Sequence, residues 1–237
     1  MMAIEATGLT VGERLKSLDL ALPKGCLAAV MGPNGAGKST LLQALAGLLP
    51  AKGRVHWQGR DLRKIPILDR GRLLAWLPQE SHAEFAFPVR DVVVQGRYAW
   101  DDEDQGVDRV LERLDLCHLA QRPVTRLSGG ERQRVFLARA LATEAPIQLW
   151  DEPVSQLDAR HALEVLRIGR QLADQGATVL MSVHDLRLVR FMDQVLVLKN
   201  GDLRACGAPD SVFTPELILE VFGVQARWET AMVLELP

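Results

Sequence analysis

Gly32-Pro33-Asn34-Gly35-Ala36-Gly37-Lys38-Ser39 puts glycines, a lysine and a hydroxyl into one short turn. The glycines let the backbone curl until successive N–H groups point inward, and a helix starting at the loop adds its dipole, which makes a preformed anion site. The spacing G-x-x-x-x-G-K-S brings the Lys38 charge to the β and γ phosphates of a nucleoside triphosphate and the Ser39 hydroxyl to a Mg²⁺ ion. The bland alternative, a glycine-rich turn without a ligand, loses to the full pattern set between a predicted strand and a predicted helix. A second chemical element is Ile147-Gln148-Leu149-Trp150-Asp151-Glu152, a mostly apolar strand ending in two acids. Carboxylates at the C-terminal end of a strand point into the crevice where α/β sheets bind ligands. Asp151 there suits the Mg²⁺ shell, and Glu152 suits polarising an attacking water. An Asp-Glu pair alone is usually solvated surface, so this reading leans on the lysine loop.

The elements that must hold these groups can be read from periodicity. Short apolar stretches from Ile4 to Val30, broken by Gly8, Gly12, Pro23 and Gly25, predict antiparallel strands and turns leading into a buried strand at Leu27 to Met31. Thr40 to Leu49 predicts a helix that stops near Pro50. Val89 to Tyr98, Val107 to Leu114 and Gln133 to Thr143 carry helical spacing, with an acidic turn from Asp101 to Asp104 between the first two. From Ile147 the pattern alternates: strand to Trp150, helix at Ala159 to Asp174, strand at Ala177 to Ser182, helix at Asp185 to Phe191, strand at Gln194 to Lys199. Such alternation predicts a mainly parallel sheet covered by helices. The expected division is a nucleotide-binding core at about 1–80 and 141–237, interrupted by a helical subdomain at about 81–140.

Composition bounds the rest. The 237 residues, 48% hydrophobic, can bury one substantial core near the size where cores begin to split. A formal net charge of −2 without blocks of like charge gives no support to a nucleic-acid partner. No apolar run approaches the roughly 20 residues that span a bilayer, and the N-terminus lacks the basic-then-apolar pattern of a secretory signal, so a cytoplasmic location is expected. Cys26, Cys117 and Cys206 are isolated, which suits a reducing compartment and structural thiols.

Leu127-Ser128-Gly129-Gly130-Glu131-Arg132-Gln133-Arg134 resembles the signature motif of the ABC ATPases almost letter for letter. The resemblance extends in the family's order over nearly the whole chain. Gln79 in Leu77-Pro78-Gln79-Glu80 is similar to the Q-loop, Ser155-Gln156-Leu157-Asp158 to the D-loop, and His184 to the H-loop. The resemblance implies an α/β fold: a P-loop NTPase core with a mainly parallel sheet, an N-terminal antiparallel β subdomain and the inserted helical subdomain. It implies that Gly32, Pro33, Asn34, Gly35, Ala36, Gly37, Lys38, Ser39 and Thr40 hold ATP. Ser39, Gln79 and Asp151 would bind Mg²⁺, and Glu152, His184 and Gln79 would serve catalysis. Ser128, Gly129 and Gly130, with Asp158, would complete a nucleotide site. The hydroxyl and backbone N–H groups at that helix start suit a second anion site. In the family the signature of one domain caps the ATP held by the P-loop of another, so the resemblance implies a homodimer closing over ATP, or a pair with a related ATPase. His56, His82, His118 and His161 read as structural residues.

Two departures stand out. ABC ATPases commonly stack adenine on an aromatic residue upstream of the P-loop, yet Leu9 to Leu18 contains none, leaving Val11 or Leu15 as apolar substitutes. In the acidic strand, Gln148 interrupts the apolar run and Trp150 is bulky beside Asp151.

Phe87 to Tyr98 resembles the corresponding segment of importer ATPases for iron-siderophores, haem and cobalamin. That resemblance implies membrane permease subunits docking beside Gln79 at the cytoplasmic face of the inner membrane, and indirectly a periplasmic or extracellular substrate-binding protein. A soluble ABC ATPase acting on nucleic acid or the ribosome would usually need a coiled-coil insertion or fused halves, and neither is present. A non-hydrolysing nucleotide sensor is disfavoured by the intact Lys38, Asp151, Glu152 and His184.

Overall fold

The computed structural model describes residues 1–79, 85–102, 104–155 and 157–227. Glu80, His82, Glu103 in the acidic turn, Gln156 of the D-loop-like segment and the terminal residues 228–237 lie outside the described residues. In chain order the elements are β1 (Met2–Val11), β2 (Leu15–Pro23), β3 (Leu27–Met31), α1 (Lys38–Leu45), β4 (Lys52–Trp57), β5 (Arg60–Asp61), α2 (Ile67–Leu73) and β6 (Leu74–Leu77). There follow α3 (Val89–Val94), α4 (Val107–Arg113), α5 (Gly129–Ala142), β7 (Ile147–Trp150), α6 (Ala159–Asp174), β8 (Thr178–Ser182), β9 (Gln194–Lys199), β10 (Asp202–Gly207), α7 (Pro209–Val212) and α8 (Pro215–Phe222).

Two sheets result. One is antiparallel, in the order β2-β1-β4-β5. The other has the order β10-β9-β3-β8-β7-β6, with β10 as an antiparallel edge strand and every other pairing parallel. The larger sheet is buried on both faces, as parallel sheets covered by crossovers must be. Its side chains therefore divide by strand period between two cores. Ala28, Val30, Ile147, Leu149, Leu180, Leu196 and Leu198 pack with α1 and the inner face of the antiparallel sheet. Leu27, Ala29, Met31, Trp150, Val179, Met181, Val195 and Val197 face the helices, where residues of α3 to α8 join the same core. Each fully buried large aliphatic side chain contributes about 1.5–3 kcal/mol relative to exposure.

The consequence for function is topological. β3, β8, β7 and β6 run parallel as neighbours, so the segments following Met31, Ser182, Trp150 and Leu77 emerge at one edge of the sheet.

Several expectations need correction. The helix expected at Asp185 to Phe191 is a 3-10 turn over Leu186–Phe191 that buries no residue, and Asp185 caps it by accepting from Arg187 N–H at 2.9 Å. α1 starts at Lys38 and ends at Leu45, before Pro50 can act as a stop. α5 starts four residues ahead of the expected Gln133, because Ser128 caps it. Val89 to Tyr98 divides into α3 and a 3-10 turn at Gln95–Arg97.

Candidate nucleotide site

The loop after β3 is shaped by crowding. A side chain on Gly32 (φ +150°) would put its Cβ 2.2 Å from the Leu198 carbonyl oxygen, and one on Gly37 (φ +105°) would lie 2.8 Å from the Arg14 carbonyl oxygen. Only glycine fits at these points, in conformations that L-residues rarely adopt. Gly37 is the N-cap of α1, which leaves the first helical N–H groups without a side-chain cap and available to an anion. Ala36 and Thr40 are buried, Pro33 and Ser39 partly so, and Asn34 and Gly35 are exposed.

Lys38 is only 6% exposed, and its ammonium donates to the carbonyl oxygens of Gly32 at 2.9 Å and Pro33 at 3.2 Å. Its side chain is thus folded along the loop it belongs to. Burial pulls its pKa below the ordinary lysine value, while the charges of Glu152 and Asp151 oppose that shift. The lysine loop and the acidic strand end therefore share one electrostatic environment.

At the end of β7, Asp151 is 2% exposed and its Oδ1 accepts from Ser182 Oγ at 2.6 Å. The same hydroxyl accepts from Glu152 N–H at 2.7 Å. Ser182, fully buried at the end of β8, thereby fixes the carboxylate of one acid and the backbone of the next. Ser182 belongs to no motif, and a lone hydroxyl closing the apolar Thr178–Ser182 strand is its only signal in the sequence. Glu152 has φ +50°, a left-handed conformation costly for a residue with a side chain, and such strain concentrates at functional sites. Glu152 Oε1 lies 2.5 Å from His184 Nε2, two residues beyond the end of β8. Gln79, exposed, follows β6 at the same edge of the sheet.

The two departures noted in the acidic strand form one pair. Gln148 and Trp150 are both buried on the same face of β7, and Gln148 Oε1 accepts from the Trp150 indole N–H at 3.1 Å. Gln148 Nε2 donates to the Ala145 carbonyl at 2.9 Å. The polar residue satisfies the indole N–H that a buried tryptophan would otherwise strand. Trp150 also packs onto α6 at Gly169, where an added Cβ would stand 3.5 Å from the ring.

The remaining expected site residues cap helices instead of meeting the lysine loop within the chain. Ser128 Oγ accepts from Glu131 N–H at 3.3 Å, and Glu131 Oε2 accepts from the Ser128 N–H and hydroxyl, each at 2.7 Å. This is a capping box, whose sequence signal is the spacing Ser-x-x-Glu. Gly129 and Gly130 form the first turn of α5, with Ser128 and Gly129 exposed. Asp158 caps α6 by accepting from His161 N–H at 2.9 Å, and it pairs with His161 Nδ1 at 2.8 Å. Beside Glu152 and His184 opens a cavity of about 830 Å³, whose walls include Leu157 of the D-loop-like segment, Phe213 and Ile218. The expected apolar substitute Leu15 is fully buried and offers no face to a base.

Mg²⁺ suits this donor set. The nearly buried Asp151 carboxylate and the Ser39 hydroxyl are hard oxygen donors, and the described residues hold no cluster of three or more His, Cys, Asp or Glu that would favour another metal. Mg²⁺ typically takes one or two protein ligands alongside phosphate oxygens.

Comparison with known proteins agrees with this geometry. The family model described as ABC transporter matches residues 15–155. The hemin import ATP-binding protein HmuV of Pseudomonas entomophila is 44% identical over 94% of this chain and 93% of its own length. The cobalamin import ATP-binding protein BtuD of Halobacterium salinarum is 42% identical over 93% of this chain, which spans 59% of that relative's length. A bacterial ABC transporter cassette solved as a dimer superposes with a TM-score of 0.78 at 25% identity, covering 87% of this chain and 98% of the other. With a glycine-lysine loop, an acidic strand end and a histidine gathered at one sheet edge, and with relatives matching over almost its whole length, the chain belongs to the ABC transporter family of ATPases.

Proposed function

We propose that this chain is the ATP-hydrolysing subunit of an importer and that it works as a pair with a second copy of itself. The observation that carries its hydrolytic part is the 2.5 Å contact between Glu152 and His184 at the sheet edge that also bears the lysine loop, and the import part leans on the relatives' names. Glu152 is 13% exposed and backbone-fixed through Ser182, a placement suited to taking a proton from water as it attacks the γ-phosphorus. His184, 43% exposed, orients that carboxylate and can reach the γ-phosphate. Lys38 supplies positive charge at the phosphates, and the loop N–H groups bind their oxygens. Mg²⁺, held by Ser39 and Asp151 with Gln79 adjoining, would neutralise charge on the β and γ oxygens.

The Ser128-Gly129-Gly130 turn has its helix-start N–H groups at an exposed surface, which supports its capping the ATP of a partner copy. Binding of ATP would draw two copies together, and hydrolysis would release them. An exposed apolar surface supports a permease contact near Gln79: Ile67 and Leu68 on α2, Phe85 and Phe87 with ring centroids 6.0 Å apart, and Tyr98, whose hydroxyl lies over Gly71. No helix among the described residues is long and apolar enough to cross a membrane, so the chain would sit peripherally on a permease at the cytoplasmic face. The names of the relatives point to hemin or cobalamin as the imported class, with iron-siderophores as a third chelate of this kind.

The test is to size the Glu152→Gln protein with ATP, assembled with its permease. The expected result is two cassettes locked together on ATP and opened by its removal. An active complex that turns over ATP with a single cassette would overturn the paired reading.

A further inference from the structure

The register of the two central strands brings a hydroxyl and a carboxylate together. β7 and β8 pair in parallel, Leu149 with Leu180 and Trp150 with Met181, so one step further sets Asp151 beside Ser182. Side chains alternate between the faces of a strand. Leu149 and Leu180 pack toward α1, and two residues on, Asp151 and Ser182 face the side where α1 begins at Lys38. Ser182 is fully buried and Asp151 is 2% exposed, so water is no substitute for either partner.

The hydroxyl of Ser182 has one proton to give. A carboxylate accepts and a backbone N–H donates, so the proton goes to Asp151 Oδ1 at 2.6 Å, and the oxygen receives Glu152 N–H at 2.7 Å. The Asp151 backbone is already tied, its N–H donating to the Leu77 carbonyl of β6 at 2.8 Å. What the hydroxyl removes is the rotation of the Asp151 carboxylate. On its other side it anchors the Glu152 backbone at φ +50°, a conformation that persists only where the surroundings over-determine it.

The other end of β8 supplies a contrast. Thr178 is also fully buried, but its hydroxyl only donates to the Pro23 carbonyl at 2.9 Å and meets neither acid. One strand thus carries a hydroxyl that ties two chain segments and a hydroxyl that joins the two acids of the site.

We propose that Ser182 is a positioning residue for hydrolysis, its single hydroxyl holding the Mg²⁺-binding carboxylate of Asp151 and the water-polarising Glu152 in a fixed relation. The proposal rests on the nucleotide reading of the lysine loop and the two acids. Mg²⁺ demands near-octahedral placement of its ligands, and groups that orient ligands are typically worth about 10–100-fold in metal affinity or activity.

The full chain is titrated with ATP in the absence of Mg²⁺ and, once ATP-bound, with Mg²⁺; its urea midpoint is measured, and turnover is followed on the permease-assembled protein. Ser182→Ala should leave Mg²⁺-free ATP binding nearly unchanged. It should raise the half-saturating Mg²⁺ concentration about tenfold or more and lower kcat about 10–100-fold, with little change in KM. Ser182→Thr keeps the hydroxyl and should recover both. Ser182→Cys, a weak donor of similar shape, should fall between alanine and parent, and it carries the test where the alanine variant does not fold. Thr178→Val should lower the urea midpoint as Ser182→Ala does, yet keep the parent's kcat and Mg²⁺ dependence. Parent-like kcat and Mg²⁺ dependence in the alanine or cysteine variant would overturn the proposal, as would losses in Thr178→Val equal to those at Ser182. Losses in Ser182→Thr as large as in Ser182→Ala would overturn it in favour of shape. Failure of the unaltered chain to bind ATP would remove the nucleotide reading itself.

Discussion

Glu152 Oε1 and His184 Nε2 meet at 2.5 Å across the ends of two neighbouring parallel strands, and the Ser182 hydroxyl holds the Glu152 backbone in a left-handed turn beneath them. The contact aims one carboxylate oxygen and leaves the carboxyl close to the phosphate loop. Glu152→Gln keeps the shape and removes the base, so ATP turnover by the permease-assembled protein should fall by about 10²–10⁴-fold. ATP affinity should persist. Phosphate-release kinetics beside a nucleotide-binding titration check both halves, and a variant with turnover near that of the parent protein would exclude Glu152 as the base.

Gln148 and Trp150 make a second testable pair. Gln148→Leu removes the acceptor for a fully buried indole N–H and should destabilise by about 1–3 kcal/mol, the cost of an unsatisfied buried donor. Adding Trp150→Phe removes the stranded donor. The double variant should therefore lose less than the sum of the two single losses in urea denaturation. Additivity would mean that the hydrogen bond contributes nothing beyond packing.

The same pair shows what the sequence could and could not convey. β7, β9 and α6 have the bounds their patterns predicted, because continuous apolar runs and a strong helical period leave little choice. β6 escaped the reading: Leu74–Leu77 is four residues long and follows α2 with no turn residue between them. β10 escaped because an edge strand with no buried residue shows little hydrophobic pattern. At the site, the loop after β3 is legible from its own spacing, the acids after β7 only by leaning on that loop, and His184 beyond β8 only through the family resemblance. Ser182 is not legible, since its partners lie about 30 residues away in sequence and a buried serine is unremarkable alone. Gln148 and Trp150 looked like two separate oddities until the strand put them on one face.

Two glycines packed near the proposed permease surface should respond differently to alanine. A Cβ on Gly96 would stand 2.2 Å from the Arg139 backbone carbonyl of α5, and backbone cannot step aside cheaply. Gly96→Ala should cost about 1–3 kcal/mol or more through forced separation of α5 from the segment after α3. A Cβ on Gly71 would instead meet the Tyr98 hydroxyl at 2.3 Å, the far end of an exposed side chain. Gly71→Ala should lower the denaturation midpoint less than Gly96→Ala, since besides Tyr98 only the buried Ala99 Cβ, 3.0 Å away, must give slightly, and the displacement of Tyr98 should weaken co-purification with the permease. Equal stability losses at both positions would show that Tyr98 and Ala99 together yield no more readily than backbone.

The α5 cap should be sensitive to acid. Hydrogen bonds from the Ser128 backbone and then its side chain hold the Glu131 carboxyl below its ordinary value of 4.5. A carboxylate depressed in the folded state contributes stability above its unfolded pKa and loses it as pH falls through the lower folded value. At neutral pH, Glu131→Ala should destabilise by about 0.3–1 kcal/mol, the range for an exposed carboxylate at a helix N-terminus, since Ser128 still caps α5. The gap between parent and variant should stay constant down to about pH 4.5 and then close as the parent's carboxylate takes up its proton. Urea midpoints for both proteins at neutral pH and at successive acid values measure that gap. A gap that stays constant through the acid range would mean the Glu131 side chain stabilises α5 by packing, without help from its charge. Because Ser128 leads the turn proposed to cap a partner's ATP, the same protonation should loosen the ATP-bound pair before it unfolds the chain, and sizing the Glu152→Gln complex across this pH range would reveal it.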